Sequence, residues 1–188
     1  MAIKIFVDQG HNPRNPNAGA EANGLREQDI TYAVGVALAE LLAADPNFEV
    51  MLSRNSPDEV LGTTNAESLG IRTRMANEWG ADAFISIHVN ASDITSATGT
   101  EAYVFSRTTP AFQLGEDITE NLSEATGEPN RGVFVRPSLY VLRNTAMPAV
   151  LVEIGFITNP AEAANMNENP SLYARGIYNG ILEYYGLD

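Results

Sequence analysis

The stretch "FISIHVNAS", residues 84–92, predicts a buried β-strand that carries one histidine, His88, close to its end. The chain contains only two histidines. The other one, His11, follows the apolar run of residues 3–7 by a few positions. Ligands of open α/β sheets usually bind outside the carboxyl ends of the strands. If these two strands are neighbours, both imidazoles lie at the same edge of the sheet and form a candidate site.

Strand and helix patterns alternate along the whole chain. Short apolar runs predict strands at 3–7, 48–53, 83–89, 100–106, 139–143 and 149–156. Helical spacing of apolar residues predicts helices at 26–44, around Ile71, Met75 and Trp79 up to Gly80, at 110–126 and at 171–185. This alternation is typical of an α/β fold built on a mostly parallel sheet. We expect a single domain over residues 1–188.

The composition excludes several classes of function. The formal net charge of −13 disfavours a nucleic-acid partner, because such partners are bound through basic surfaces. No apolar stretch approaches the roughly 20 residues that a membrane helix needs. The chain has no cysteine, so it has no disulfide and no thiol nucleophile, and a metal site is limited to histidine, aspartate and glutamate ligands.

The two histidines admit two interpretations. Two imidazoles and one carboxylate are a common ligand set of catalytic zinc, which keeps a fourth position for water. Alternatively, each histidine only hydrogen-bonds the backbone near it. The residues alone leave both interpretations open.

A glutamate inside an apolar run also needs an explanation. Glu153 interrupts "AVLVEIGF", residues 149–156, where an unpaired carboxylate is costly to bury. It is either a partner of a buried ion pair, for example with Arg143, or a catalytic carboxylate whose pKa is raised by its apolar surroundings.

Five segments together resemble the type 3 family of N-acetylmuramoyl-L-alanine amidases, which are zinc-dependent peptidoglycan hydrolases. The segments are "DQGHN" (8–12), "GLREQDITYAV" (24–34), "ADAFISIHVNAS" (81–92), "LYVLRNTAMPAVLVEIGFITNP" (139–160) and "IYNGILEYYG" (177–186). They occur in the family's order over nearly the whole chain. The resemblance implies a twisted sheet of about six strands that is flanked by helices.

Carried over residue by residue, the resemblance implies a zinc ion (Zn²⁺) held by His11, Glu27 and His88, with Glu153 as the catalytic glutamate. The implied reaction is hydrolysis of the amide bond between N-acetylmuramic acid and L-alanine in peptidoglycan. The alternatives are a non-catalytic peptidoglycan-recognition module and another zinc peptidase or deacetylase. Residues that flank the ligands depart from the family pattern at Gln9, Asn12 and Val89, which leaves the ligand positions unchanged.

Some expectations concern the surroundings of the site. Glu21 is the other glutamate that follows His11 in the same loop region, but Glu27 begins a helical pattern and is therefore held more firmly. Asp8 or a backbone carbonyl is a candidate to orient the imidazoles. We expect a monomer that acts outside the cell or in the cell wall, although no signal-peptide pattern precedes the first strand.

Overall fold

The structure of the protein is a computed structural model that describes residues 2–187. Its strands are β1 (Ile3–Gln9), β2 (Glu21–Ala22), β3 (Leu25–Arg26), β4 (Phe48–Leu52), β5 (Ala83–Asn90), β6 (Thr100–Val104), β7 (Asn130–Val135) and β8 (Ala149–Phe156). Its helices are α1 (Glu27–Ala44), α2 (Asn65–Trp79), α3 (Pro110–Thr126), α4 (Tyr140–Arg143), α5 (Pro160–Glu168) and α6 (Pro170–Tyr185). None of these helices is both long enough and apolar enough to cross a lipid bilayer.

Six strands form one sheet in the order β4-β1-β5-β8-β6-β7, and β2 and β3 form a short separate hairpin. All neighbours in the large sheet are parallel except β6 and β8, which are antiparallel. The predicted α/β fold with a mostly parallel sheet of about six strands is therefore confirmed. The carboxyl ends of β1, β5 and β8 lie at the same edge as the amino ends of β6 and β7. We call this edge the site edge.

Alternating side chains of the strands pack into two apolar layers. Ile85 and Ile87 of β5 face the layer that is shared with α1, α3 and α6. Phe84 faces the other layer, where its ring stacks on Phe6 with the centroids 5.5 Å apart. Helix α6 lies close to α3 because Gly180 carries no side chain: a Cβ there would lie 2.5 Å from Cα of Ile118. Both faces of the sheet are thus covered, and this fixes the strands that carry the site edge.

The prediction of a strand at 139–143 is wrong. Residues Tyr140–Arg143 form the short helix α4, in which the N–H of Arg143 donates to the carbonyl of Leu139 and the N–H of Asn144 donates to that of Tyr140. A short apolar run buries its side chains equally well as a strand or as one helical turn, and so its spacing does not decide between them. The sixth strand is β7, which was not predicted because it is an edge strand with only one buried residue.

Candidate metal centre

The structure brings His11, Glu27 and His88 together at the site edge. His11 follows β1, Glu27 is the first residue of α1, and His88 lies near the end of β5. The strands β1 and β5 are parallel neighbours, which meets the condition set by the sequence analysis, and so their carboxyl ends lie side by side. Nε2 of His11 and Nδ1 of His88 each lie 3.1 Å from Oε1 of Glu27.

The chemistry and spacing of these three side chains fit a zinc ion. Each offers one ligand atom, and the three atoms lie within 4.8 Å of one another. Zinc binds histidine nitrogen and carboxylate oxygen at about 2.0–2.2 Å, so two ligand atoms of one tetrahedral ion lie about 3.3–3.6 Å apart, close to the 3.1 Å between Oε1 of Glu27 and each imidazole nitrogen. The imidazoles keep 19% of their side-chain surface exposed, which leaves the group open to a ligand from outside. The group is therefore able to bind a metal ion.

Backbone groups hold both carboxylate oxygens of Glu27. Its Oε1 accepts a hydrogen bond from the N–H of Val89 at 3.0 Å, and its Oε2 accepts one from the N–H of Ala20 at 2.9 Å. Burial disfavours the charged form, but the hydrogen bonds from the two imidazoles outweigh burial and hold the pKa of Glu27 below its ordinary value. Glu21 is exposed in β2 and is not part of this group. The geometry favours Glu27 over Glu21 as the carboxylate of the centre.

The backbone around His11 has an unusual conformation. His11 has a φ of 69°, in the left-handed region that few residues other than glycine adopt. The preceding residue, Gly10, lies so close to β5 that a Cβ there would be 2.5 Å from the carbonyl oxygen of Ile87 and 2.7 Å from Nε2 of His88. A glycine at position 10 is therefore required for the two histidines to approach each other.

A buried arginine, Arg72 of α2, fixes the end of β1. Its Nη1 donates to Oδ1 of Asp8 at 2.5 Å and to the carbonyl of Gln9 at 2.6 Å, and its Nη2 donates to the carbonyl of His11 at 2.6 Å. Asp8 also accepts a hydrogen bond from the hydroxyl of Ser86. Asp8 therefore anchors Arg72 instead of orienting an imidazole. This role of Arg72 was not predicted from the sequence, because an arginine in an amphipathic helix usually faces solvent.

Glu153 lies between the metal-binding group and a second glutamate. It is opposite His88 in the pairing of β5 with β8 and opposite Glu101 in the pairing of β6 with β8. Its Oε2 is buried and has no hydrogen-bond partner among residues 2–187. Burial, together with the negative charges of Glu27 and Glu101, raises the pKa of Glu153 well above its ordinary value. The ion pair with Arg143 that the sequence allowed does not form, and Arg143 is exposed.

A cavity of about 170 Å³ opens beside the two histidines. It is lined by Asp8, Gly10, His11, Asn17, Leu69, Arg72, His88, Leu139, Tyr140, Val141 and Leu151. A larger cavity, of about 360 Å³, is lined by the residues that follow β6 and precede β8 and includes none of the four predicted site residues. Of these two cavities, the smaller one adjoins the candidate site, because both histidines line it.

A model of the N-acetylmuramoyl-L-alanine amidase family matches residues 5–183 of the chain. The chain belongs to this family. The N-acetylmuramoyl-L-alanine amidase CwlM of Bacillus licheniformis is 36% identical over 189 residues, which cover 98% of this chain and 70% of CwlM. A sporulation-specific N-acetylmuramoyl-L-alanine amidase of Bacillus subtilis is 35% identical over 189 residues, which cover 98% of this chain and 69% of that protein.

Solved structures of amidases share the fold. The crystal structure of an N-acetylmuramoyl-L-alanine amidase from Clostridium difficile 630 matches with a TM-score of 0.87 at 29% identity, and the match covers 98% of this chain and 97% of that one. The predicted family and the predicted enzyme class, an amidase, are confirmed. The alternative of a non-catalytic recognition module loses its support, since the curated relatives named above are amidases.

Proposed function

We propose that this amidase uses zinc to hydrolyse the amide bond between the lactyl group of N-acetylmuramic acid and L-alanine in peptidoglycan. In this proposal His11, Glu27 and His88 hold the metal ion and Glu153 transfers the proton. One observation carries it: three ligand atoms converge within 4.8 Å at the edge of the sheet where Glu153 keeps a buried carboxylate oxygen that has no hydrogen-bond partner among the described residues.

The residues of the chain divide the chemistry between them. Zinc bound at this group would supply a Lewis acid, which polarises a carbonyl oxygen and makes water a nucleophile near neutral pH. Oε2 of Glu153 accepts the proton of the attacking water, whose oxygen forms the new bond to the lactyl carbonyl carbon. The same oxygen then donates that proton to the L-alanine nitrogen as the C–N bond breaks. The raised pKa of Glu153 supports this role, because the carboxyl group can hold the proton between the two steps.

The remaining expectations belong to the same proposal. We take residues 1–188 as one catalytic domain, which is supported by a family match that spans residues 5–183 and all six strands of the large sheet. The substrate places the enzyme outside the cell or in the cell wall. That the enzyme acts as a monomer, without nucleic acid or membrane, stays a prediction.

Mass spectrometry of the products of purified peptidoglycan tests the proposal. An amidase releases stem peptides with a new L-alanine amino terminus, and exhaustive chelation abolishes their release until zinc is added back. Cleavage within the stem peptide would identify a zinc peptidase, and release of acetate would identify a deacetylase. Full activity after chelation would contradict the metal.

A further inference from the structure

A second polar group flanks Glu153 on the side away from the histidines. Since β8 lies between β5 and β6, Glu101 of β6 adjoins Glu153 on the other side from His88. Glu101 is 6% exposed. Its Oε1 accepts hydrogen bonds from Nδ2 of Asn90 at 3.0 Å and from the hydroxyl of Tyr103, and its Oε2 accepts one from Nε of Arg131 at 2.6 Å. Both carboxylate oxygens of Glu101 therefore accept hydrogen bonds, and these bonds fix the orientation of the side chain.

This network holds the guanidinium of Arg131 in one orientation at the site edge. Arg131 lies at the start of β7, and its Cζ lies 5.1 Å from the ring centroid of Phe156. Nη1 makes only a long hydrogen bond of 3.4 Å to the carbonyl of Thr98, and Nη2 has no partner among residues 2–187. The side chain is 42% exposed. Arg131 thus presents fixed and unused donors to solvent.

The chemistry of these donors selects an anion. A guanidinium binds a carboxylate through two parallel hydrogen bonds, and prior fixation reduces the entropy that is lost on binding. The chain has a net charge of −13, so an acidic ligand is repelled by the protein as a whole and needs a local positive group. Arg131 supplies such a group from β7, two strands away from Glu153, and Glu101 on the intervening strand β6 holds its guanidinium.

The distance from Glu153 indicates which part of the substrate meets Arg131. Neighbouring strands lie about 4.8 Å apart, and an extended peptide rises about 3.3 Å per residue. Glu101 lies one strand from Glu153, and the guanidinium of Arg131 lies a further 2.6 Å from the carboxylate of Glu101. When the scissile amide lies at Glu153, this guanidinium is therefore about two residues away along the leaving peptide. The residue that follows L-alanine lies at this distance.

We propose that Arg131, oriented by Glu101, binds a carboxylate of the leaving peptide on the residue that follows L-alanine. The inference rests on the proposed function, because that function places the scissile amide beside Glu153. It makes Arg131 a specificity-determining residue and Glu101 a positioning residue. The enzyme then prefers stem peptides with a free carboxylate at this position over peptides in which it is amidated.

Binding of two probes that differ in one carboxylate tests the inference. The probes are N-acetylmuramoyl-L-alanyl-D-glutamine with its terminal carboxyl group free and the same molecule with that group amidated. Isothermal calorimetry on the Glu153→Gln variant measures binding without turnover. We expect the acid to bind about 10-fold more tightly than the amide, as for an exposed charge-assisted contact. In the double variant with Arg131→Gln the two affinities become equal, while the affinity for the amide is unchanged.

Two further variants separate recognition from a structural effect. Arg107 is another exposed arginine that lies over an aromatic ring, that of Phe112, at 5.0 Å, and Arg107→Gln keeps the preference for the acid. Arg131→Lys keeps part of it, because the positive charge remains. The inference would be overturned if the Glu153→Gln protein bound the acid and the amide with equal affinity. It would also be overturned if the added Arg131→Gln substitution weakened the binding of both probes equally. Failure of the proposed function shows separately, in the products of peptidoglycan.

Discussion

Nη2 of Arg72 lies 2.6 Å from the carbonyl oxygen of His11. A buried arginine of α2 therefore donates a hydrogen bond to the backbone of a predicted metal ligand. The same guanidinium pairs with Asp8, and the two side chains are 1% and 2% exposed. Helix α2 thereby holds the loop in which His11 adopts its left-handed conformation. We therefore predict that Arg72 supports both the stability of the fold and the proposed metal binding.

Arg72→Met is expected to lower the free energy of unfolding by about 3–5 kcal/mol, because it leaves the Asp8 carboxylate buried without its partner. The metal content of the folded fraction falls as well, since the carbonyl of His11 loses its donor. Urea denaturation and elemental analysis measure the two effects. Arg74 lies exposed on the same helix, so Arg74→Met should change stability by less than about 0.5 kcal/mol. Equal stabilities of the two variants would contradict this prediction.

Glu27→Ala is expected to remove zinc and activity together, because it removes the only carboxylate of the metal-binding group. Glu21→Ala serves as the matched control. Glu21 follows His11 in the same region but is exposed in β2, so this variant keeps both properties. Zinc is measured by mass spectrometry on the folded proteins. The opposite pattern would assign the ligand to Glu21.

Glu153→Gln preserves the size of the side chain and removes its proton acceptor. We expect the rate of amide hydrolysis to fall by about 10²–10⁴-fold, as for the loss of a general acid–base group. Zinc content stays unchanged, because Glu153 is not among the three convergent ligand side chains. Kinetics on a soluble muramoyl peptide and metal analysis of the same sample check both statements. A folded variant without zinc would show that Glu153 is a ligand.

Glu128 makes the stability of the fold depend on pH. Its Oε1 accepts a hydrogen bond from the hydroxyl of Tyr173 at 2.8 Å, and its Oε2 is buried without a hydrogen-bond partner in the part of the chain that the structure describes. Burial and the nearby Glu162 carboxylate raise the pKa of Glu128 to about 7, from an ordinary value of 4.5. Between these two pH values the folded protein keeps a proton that the unfolded chain releases. The contribution of Glu128 to the free energy of unfolding is therefore lost as the pH rises from 4.5 towards 7.

Glu128→Gln is expected to remove this loss, since glutamine cannot ionise and still accepts the hydrogen bond from Tyr173. Urea denaturation at about pH 5 and about pH 8 gives the difference for each protein. The difference should be smaller in the variant than in the wild type. Glu124 is exposed in α3, and Glu124→Gln should behave like the wild type. An unchanged difference in Glu128→Gln would show that Glu128 is ionised at both pH values.

Several residues of the candidate site and several elements of the fold were predicted from the sequence. Apolar runs marked β1 and β5, and the rarity of histidine drew attention to His11 and His88. The rule that ligands bind at strand ends made the site depend on β1 and β5 being neighbours, and the structure shows that they are. The choice of Glu27 depended on its place at the start of a helix and on resemblance to a family.

Other features left no readable signal in the sequence. The strand β7 begins with the polar residues Asn130 and Arg131 and buries only one of its six residues, so it lacks the apolar alternation that marks a strand. Arg72 and Arg131 have opposite burial, and nothing in the residues next to them in the sequence predicts this difference. Their roles depend on tertiary partners, Asp8 for one and Glu101 for the other, that lie far away along the chain.

The position of β8 in the sheet determines when the enzyme becomes complete during its synthesis. This strand is the last in the chain, yet it lies between β5 and β6. The amino terminus of a chain is synthesised first and leaves the ribosome first. The segment that contains β1, α1 and β5 therefore emerges before residues 149–156. A nascent chain can therefore hold the two histidines and Glu27 while it still lacks Glu153. Under the proposed function, translation therefore delivers the three proposed metal ligands first and the proposed proton carrier later, and hydrolysis is expected to start only after β8 has been inserted into the sheet.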